Sequence, residues 1–159
     1  MMQTAISAIL ACGILAGMAD GAELATKKAL TLAGAKKIAA AAEAEAVKNK
    51  WNVVIAIMDD GGNLIYLQRM DGTQIGSVDV AIAKATSAFR FKRPTKAFED
   101  ALKSGRQAIL ALPGATPVEG GLPITLDGAI LGAIGVSGVQ SFEDAQIAQA
   151  GIAIVGSLK

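Results

Sequence analysis

The sequence predicts an α+β fold, in which helices sandwich one antiparallel sheet built from two β-hairpins. Two pairs of short apolar segments are each joined by a turn rich in aspartate and glycine, which is the pattern of a hairpin. Helix-forming stretches precede, separate and follow these pairs, so the predicted order is α-β-β-α-α-β-β-α. A chain of 159 residues suits a single domain with a modest core.

The first helix and the first hairpin are predicted over residues 31–69. Thr31 is a suitable N-cap for an alanine-rich run that reaches Lys50. Alanine is the best helix former, and its small side chain allows a helix to pack closely on a sheet. Residues 53–58 form a nearly continuous apolar strand, and residues 64–69 return as a second strand with two alternating faces. The turn between them, DDGGN, is rich in residues that tolerate positive φ.

Two helices are predicted between the hairpins. Ser77 is expected to cap a helix over residues 78–91, whose apolar positions 78, 82, 85 and 89 share one face. Arg93 ends this helix because the proline that follows it disfavours the α conformation. Thr95 is expected to cap a short helix over residues 96–103, and residues 106–119 are predicted to be irregular.

The second hairpin is predicted within the glycine-rich residues 120–138. Its turn is Asp127-Gly128, between apolar runs at residues 122–126 and 129–136. Gly132 and Gly135 lie inside a strand, where they let another backbone or a flat ligand come close. Close packing of the alanine-rich helices on the strand explains these two glycines without a ligand. A ligand site is therefore expected at the ends of the hairpin instead.

The last helix is predicted over residues 142–158. Ser141 is expected to be its N-cap, with Asp144 completing a capping box. The helix is apolar on more than one face, which predicts burial on two sides. We expect the sheet to cover one side and a neighbouring subunit the other, and therefore a homo-oligomer.

Composition excludes several classes of function. A hydrophobic content of 52% with 18% charged residues argues against disorder, and a net charge of +1 leaves no electrostatic footprint for nucleic acid or an anionic membrane. The chain has no histidine, the commonest metal ligand and general base, and only one cysteine, Cys12. No pair of carboxylates has a spacing that demands acid–base chemistry. A binding protein is therefore favoured over an enzyme, and no catalytic residue is assigned.

Residues 1–22 are predicted to be a signal peptide, and residues 23–159 a single domain. Residues 5–19 form an apolar run that suits a signal-peptide core and is shorter than a membrane span, and small residues follow at the expected cleavage region. This predicts a periplasmic or secreted protein with no membrane span in the mature chain. No Lys or Arg precedes the apolar run, and the alternative is a buried amino-terminal helix in a cytoplasmic protein.

Five motifs spread over about residues 30–151 resemble the GlcG/HbpS family, also called the haem-degrading domain family. They are LTLA at 30–33, IAIMD at 55–59 with GNL at 62–64, RMDG at 69–72, AKAT at 83–86 with RPT at 93–95, and GGLPI at 120–124 with IGVSG at 134–138, followed by Asp144 and AG at 150–151. Each motif is weak alone, but their order and spacing are specific. The family includes the C-terminal domain of PduO-type cobalamin adenosyltransferases. The resemblance implies an α/β sandwich around an antiparallel sheet, a profilin-like layered architecture, and oligomers.

The resemblance also implies a function. It indicates an exported protein that binds haem or another tetrapyrrole, in haem handling or redox sensing. The alternative is an accessory protein or enzyme that binds a small hydroxy acid or a metabolite of diol pathways, and a third hypothesis is an interaction module. Without histidine, the axial candidates for haem iron are Met58, Met70, Tyr66, Lys84 and the hydroxyl of Thr95.

Nine residues are predicted to contact the ligand. They are Arg69, Met70, Lys84, Arg93, Thr95, Gly120, Gly121, Pro123 and Ser137. Arg69 suits bidentate pairing with a propionate or another carboxylate, although an arginine at a strand end often makes only a surface ion pair. Met70 offers a thioether, although methionine is more often core filler.

The remaining candidates have alternative structural explanations too. Lys84 either faces a ligand carboxylate or extends to solvent past the apolar face of its helix. Arg93 and Thr95 flank a proline at a helix start, where free N–H groups favour anions, and they are the preferred pair; Thr95 is otherwise a simple N-cap. The glycines 120 and 121 with Pro123 form a rigid start to the strand, and Ser137 ends its partner strand nearby.

Overall fold

The computed structural model describes residue 24 and residues 26–158, so the predicted signal peptide at residues 1–22 lies outside the described part. The helices are α1 (Leu32–Lys48), α2 (Ser77–Phe91), α3 (Lys96–Lys103) and α4 (Ser141–Ile152), and the strands are β1 (Val54–Met58), β2 (Leu64–Arg69), β3 (Gly121–Leu126) and β4 (Ala129–Ser137). Short 3₁₀ turns occur at Gln107–Ala111 and Val155–Ser157. The predicted order of elements is confirmed.

The four strands form one antiparallel sheet in the order β2-β1-β4-β3. Both predicted hairpins are present, and β1 pairs with β4 to join them, with Val54 opposite Arg69 on one side and Ser137 on the other. A lone hairpin is marginally stable in water, whereas four strands with covered faces support an independent core. β2 and β3 are therefore the two edges of the sheet.

Helices cover both faces of this sheet, as predicted. Successive side chains of a strand point to opposite faces. Ile55 and Ile57 of β1 pack into the core shared with α1 and α4, whereas Val54 and Ala56 pack with Ala81 and Ala85 of α2. The result is a three-layer sandwich. Within the described residues, no helix is long and apolar enough to cross a membrane.

Helix α4 packs against α1 as well as against the sheet. A side chain at Gly151 would come within 3.1 Å of the Ile38 carbonyl oxygen and 3.2 Å of the Ala42 Cβ, so the two helices are in close contact there. Gln146 of α4 also donates a 2.7 Å hydrogen bond to Glu45 of α1. The second apolar face of α4 is thus covered by α1, and the assignment of that face to a neighbouring subunit was wrong. The homo-oligomer itself stays a prediction.

Two predicted helix caps, those of α2 and α4, differ from the observed ones. The N-cap of α4 is Gln140, whose partner in the capping box is Glu143, so the predicted box was displaced by one residue. The helix also ends at Ile152 and continues only as a 3₁₀ turn. The N-cap of α2 is Gly76, and the Ser77 hydroxyl instead contacts that of Ser137 in β4. Thr95 is the N-cap of α3 as predicted, although its hydroxyl makes no capping bond and accepts from the Gly121 amide instead. The Thr31 cap of α1 is confirmed by a 3.1 Å bond from the Gly34 amide.

Candidate functional site

Lys84 lies on the sheet-facing side of α2 and is completely enclosed. Its Nζ donates to Asp144 Oδ2 at 2.7 Å and to the Val136 carbonyl oxygen at 2.9 Å. The two side chains are only 1% and 3% exposed. The interpretation that Lys84 extends to solvent was therefore wrong.

Asp144 is held by the protein on both carboxylate oxygens. Its second oxygen, Oδ1, accepts from the Val139 amide at 3.2 Å. Burial raises the pKa of Asp144 above its ordinary value, and the nearby Lys84 ammonium and backbone amides oppose that rise only in part. A ligand carboxylate that reached Lys84 would have to displace Asp144 from a satisfied pair.

Gly120, Gly121 and Thr95 surround this pair, and together the five residues form what we call the buried junction. A Cβ on Gly120 would lie 2.7 Å from Lys84 Nζ, and one on Gly121 would lie 2.7 Å from the Thr95 methyl. Thr95, which is fully buried, accepts from the Gly121 amide at 2.9 Å and donates its own amide to the Gly121 carbonyl at 3.0 Å. Thr95, the last residue of the RPT motif, thus packs directly on the start of β3.

Arg93, Pro123 and Ser137 lie outside the buried junction. The guanidinium of Arg93 is 5.7 Å from the Phe98 ring centroid, and its Nε donates to the Phe91 carbonyl at 3.2 Å. Pro123 is on the edge strand β3, where a missing N–H is tolerated. The hydroxyl of Ser137 is 3.3 Å from that of Ser77 in α2, and both are buried.

Arg69 and Met70 lie at the opposite edge of the sheet from the buried junction. Two strands separate β2 from β3, a distance of about 14 Å at the usual strand spacing. Both residues line a polar cleft of about 420 Å³, shared with Glu43, Asn52, Gln68 and Asp71. The nine candidate residues are therefore divided among separate parts of the molecule.

A second cleft, mostly apolar and of about 490 Å³, lies on the α1 side of the β3–β4 hairpin; we call it the apolar cleft. Its lining comprises Lys28, Ala29, Leu30, Thr31, Ala33, Gly34, Lys37, Leu126, Leu131 and Leu158. Four leucines from distant segments supply its walls, and two lysines supply positive charge. Lys28 also makes a solvent-exposed 3.0 Å ion pair with Asp127 in the hairpin turn, which a ligand carboxylate would replace at little cost.

Reasoning from the sequence missed the apolar cleft. Its lining joins residues near the start of the domain to residues about a hundred positions later, so no local pattern marks it. The available signal was the LTLA motif, of which Leu30, Thr31 and Ala33 line the cleft. Among the described residues, no group of three metal-ligating side chains is assembled.

The fold is a single-domain α+β sandwich. The volume of its apolar cleft, about 490 Å³, falls within the usual range for small-molecule sites. The chain belongs to the HbpS-like family, since the family model described as "Haem degrading protein HbpS-like" matches residues 30–153. This confirms the resemblance read from the five motifs.

Individual relatives agree with this membership. Protein GlcG of Escherichia coli strain K12 is 43% identical over 112 residues, which cover 70% of this chain and 84% of GlcG. The crystal structure of a double mutant of Streptomyces reticuli HbpS matches with a TM-score of 0.77 and 33% identity, covering 96% of this chain and 99% of that one. A PduOC:Heme complex matches with a TM-score of 0.72 and 27% identity, covering 79% and 94%.

Proposed function

We propose that this protein binds haem or a related tetrapyrrole in the apolar cleft. The observation that carries the proposal is the pairing of leucine walls with two lysines in a cleft of about 490 Å³. A tetrapyrrole has an apolar ring and carboxylate side chains, which matches that division of surface. The family description and the haem in the PduOC complex support the choice of ligand.

The donors of the apolar cleft fit the ring and its carboxylates better than they fit the iron. The lining contains no methionine, tyrosine, cysteine or histidine, and the Thr31 hydroxyl already accepts from the Gly34 amide. Of the predicted axial candidates, Met70 lines the polar cleft, while Met58 and Lys84 are buried. Apolar contacts and the ammonium groups of Lys28 and Lys37 would therefore supply most of the affinity.

Titration of haemin into the purified protein, followed by the Soret band, tests this proposal. We expect a saturable change, and iron-free protoporphyrin IX should compete for the same site because the iron contributes little. Lys28→Gln/Lys37→Gln should weaken binding about tenfold or more, as expected for the loss of charge-assisted contacts. Lys36→Gln/Lys50→Gln removes the same charge outside the lining and should bind as the wild type does. The absence of a saturable change in the wild type would contradict the proposal.

A second candidate function is the binding of a small hydroxy acid, which the polar cleft favours. Arg69 there provides a guanidinium beside the polar groups of Asn52 and Gln68, whereas Lys84 is engaged with Asp144. Glycolate and lactate should then raise the melting temperature by mass action. Arg69→Gln should abolish that rise, while Arg106→Gln, at a distant exposed arginine, should preserve it. Equal melting temperatures with and without these acids would exclude the candidate.

Export and self-association belong to the same proposal. The apolar run at residues 5–19 supports export, and amino-terminal sequencing of the protein recovered from the cell exterior or periplasm would test cleavage near residue 22. The resemblance to the family supports a homo-oligomer, and Ile75, Leu110 and Phe142 are large exposed apolar side chains available for its contacts. A monomer in light scattering at micromolar concentration would contradict it.

A further inference from the structure

A third cleft, of about 560 Å³, lies where the two hairpin turns meet the carboxyl end of α2; we call it the turn cleft. It is lined by Asp60, Phe89, Arg90, Lys92, Gly128, Ala129 and Ile130. It shares no lining residue with the apolar cleft or the polar cleft. The turn cleft is therefore a separate site from the two clefts described above.

Two glycine backbones pack directly against the side chains that matter in the turn cleft. Gly62 has a φ of +79°, and a Cβ at that position would lie 2.7 Å from the Phe89 ring. Gly114 has a φ of +80°, and a Cβ there would lie 3.1 Å from Arg90 Nη1. The aromatic ring and the guanidinium thus each have a glycine backbone close beside them, which limits the space open to both side chains.

The turn cleft also carries positive charge that no carboxylate in the described part of the chain neutralises. Its one carboxylate, Asp60, is in a 2.6 Å ion pair with Lys27. In the described part of the chain, Arg90 and Lys92 make neither an ion pair with a carboxylate nor a side-chain hydrogen bond. A cation near a helix C-terminus is favoured by the helix dipole. The helix dipole does not explain why both cations line the same cleft as the apolar side chains of Phe89 and Ile130.

We propose that the turn cleft binds a small organic carboxylate with an apolar portion. Arg90 presents the planar donors that pair with a carboxylate, and Lys92 adds a second positive charge next to it. Phe89 and Ile130 provide the apolar wall for the rest of the ligand. A carboxylate and a phosphate would both pair with Arg90 and Lys92. The apolar wall therefore decides which ligand binds more tightly, because inorganic phosphate has no apolar portion to contact it.

Titration of the isotope-labelled protein with phenylacetate, followed by amide chemical shifts, tests this proposal. We expect saturable shifts in the two turns at residues 59–63 and 127–130, and a Kd at least tenfold higher for Arg90→Gln/Lys92→Gln. Lys50→Gln/Arg106→Gln makes the same change in net charge at exposed positions outside the cleft and should leave the Kd unchanged. The neutral analogue phenylacetamide and inorganic phosphate should each bind at least tenfold more weakly than phenylacetate.

Three results would overturn the proposal. The first is the absence of saturable shifts with phenylacetate, and the second is equal binding of phosphate, which would indicate a site for any anion. The third is an equal loss of affinity in the control double variant. Both double variants change exposed side chains and should fold, and a well-dispersed amide spectrum will verify that they do. Haemin titration of the same samples then tests the apolar cleft separately.

Discussion

The ammonium of Lys84 and the carboxylate of Asp144 lie 2.7 Å apart, although 60 positions separate them in the chain. Lys84 belongs to α2 and Asp144 to α4, helices that pack on opposite faces of the sheet. The Val136 carbonyl of β4 accepts a further bond from the same ammonium. Within the described residues, no buried side-chain nitrogen or oxygen lacks a partner, so this pair is enclosed and satisfied.

Removal of either partner should be strongly destabilising. Lys84→Met and Asp144→Asn should each lower the free energy of unfolding by about 3–5 kcal/mol, because the remaining charge stays buried without compensation. The double variant Lys84→Met/Asp144→Leu should recover most of that loss. Urea unfolding of the three variants gives the values.

An exposed ion pair provides the matched control for this prediction. Lys96 and Asp100 lie 2.9 Å apart with about half of each side chain exposed. Lys96→Met should change the free energy of unfolding by no more than about 0.5 kcal/mol. A loss of similar size in Lys84→Met would mean that water reaches the buried pair.

Thr95 should contribute to stability through its hydroxyl. Thr95→Val leaves the buried Gly121 amide without its 2.9 Å acceptor, which should cost about 1–3 kcal/mol of unfolding free energy. Thr95→Ser keeps the hydroxyl and should lose less. If Thr95→Val weakened haemin binding while the unfolding curve stayed unchanged, the hydroxyl would instead be a ligand contact.

Gly135 should be irreplaceable because α2 crosses directly over it. A Cβ there would overlap the Ala81 carbonyl oxygen and lie 2.5 Å from the Ala85 amide nitrogen. Gly135→Ala should therefore lower the free energy of unfolding by about 1–3 kcal/mol or more through overpacking. At Gly76, a Cβ would meet nothing within 4 Å, so Gly76→Ala should be nearly neutral in the same urea measurement.

Asp59 should make the stability of the first hairpin depend on pH. Its Oδ1 accepts from the amides of Asn63 at 2.9 Å and Gly61 at 2.8 Å, and these bonds, that of Asn63 first, lower the pKa of the carboxyl. A lowered folded-state pKa gives stability that is complete above the unfolded value of 3.8 and is lost as the pH falls through the folded value.

The comparison of Asp59→Ala with the wild type measures this contribution. At pH 7 the variant should be less stable by about 1 kcal/mol, because two turn amides lose their acceptor. The difference should shrink as the carboxyl of the wild type is protonated in acid. A difference that stayed constant between pH 7 and pH 2 would show that the charge of Asp59 is not involved.

Local sequence was sufficient to predict the elements and the family. Hairpin turns at residues 59–63 and 127–128, and the helical periodicity of residues 78–91, depend on neighbours within a few positions. The prediction that a helix packs closely on the interior glycines is confirmed for Gly135, which lies against α2. Gly132 instead lies against the Met58 backbone of the neighbouring strand, a contact that requires knowledge of the strand order.

The candidate site was less predictable because side-chain environments are made by residues distant in the chain. The AKAT motif predicted that Lys84 matters but offered two surroundings for its charge, and the structure has a third in Asp144. The apolar cleft depends on Leu30, Leu126 and Leu158 meeting in space. Short-range patterns thus specified the elements and their order, whereas burial, ion pairing and the clefts were decided only when the three layers packed together.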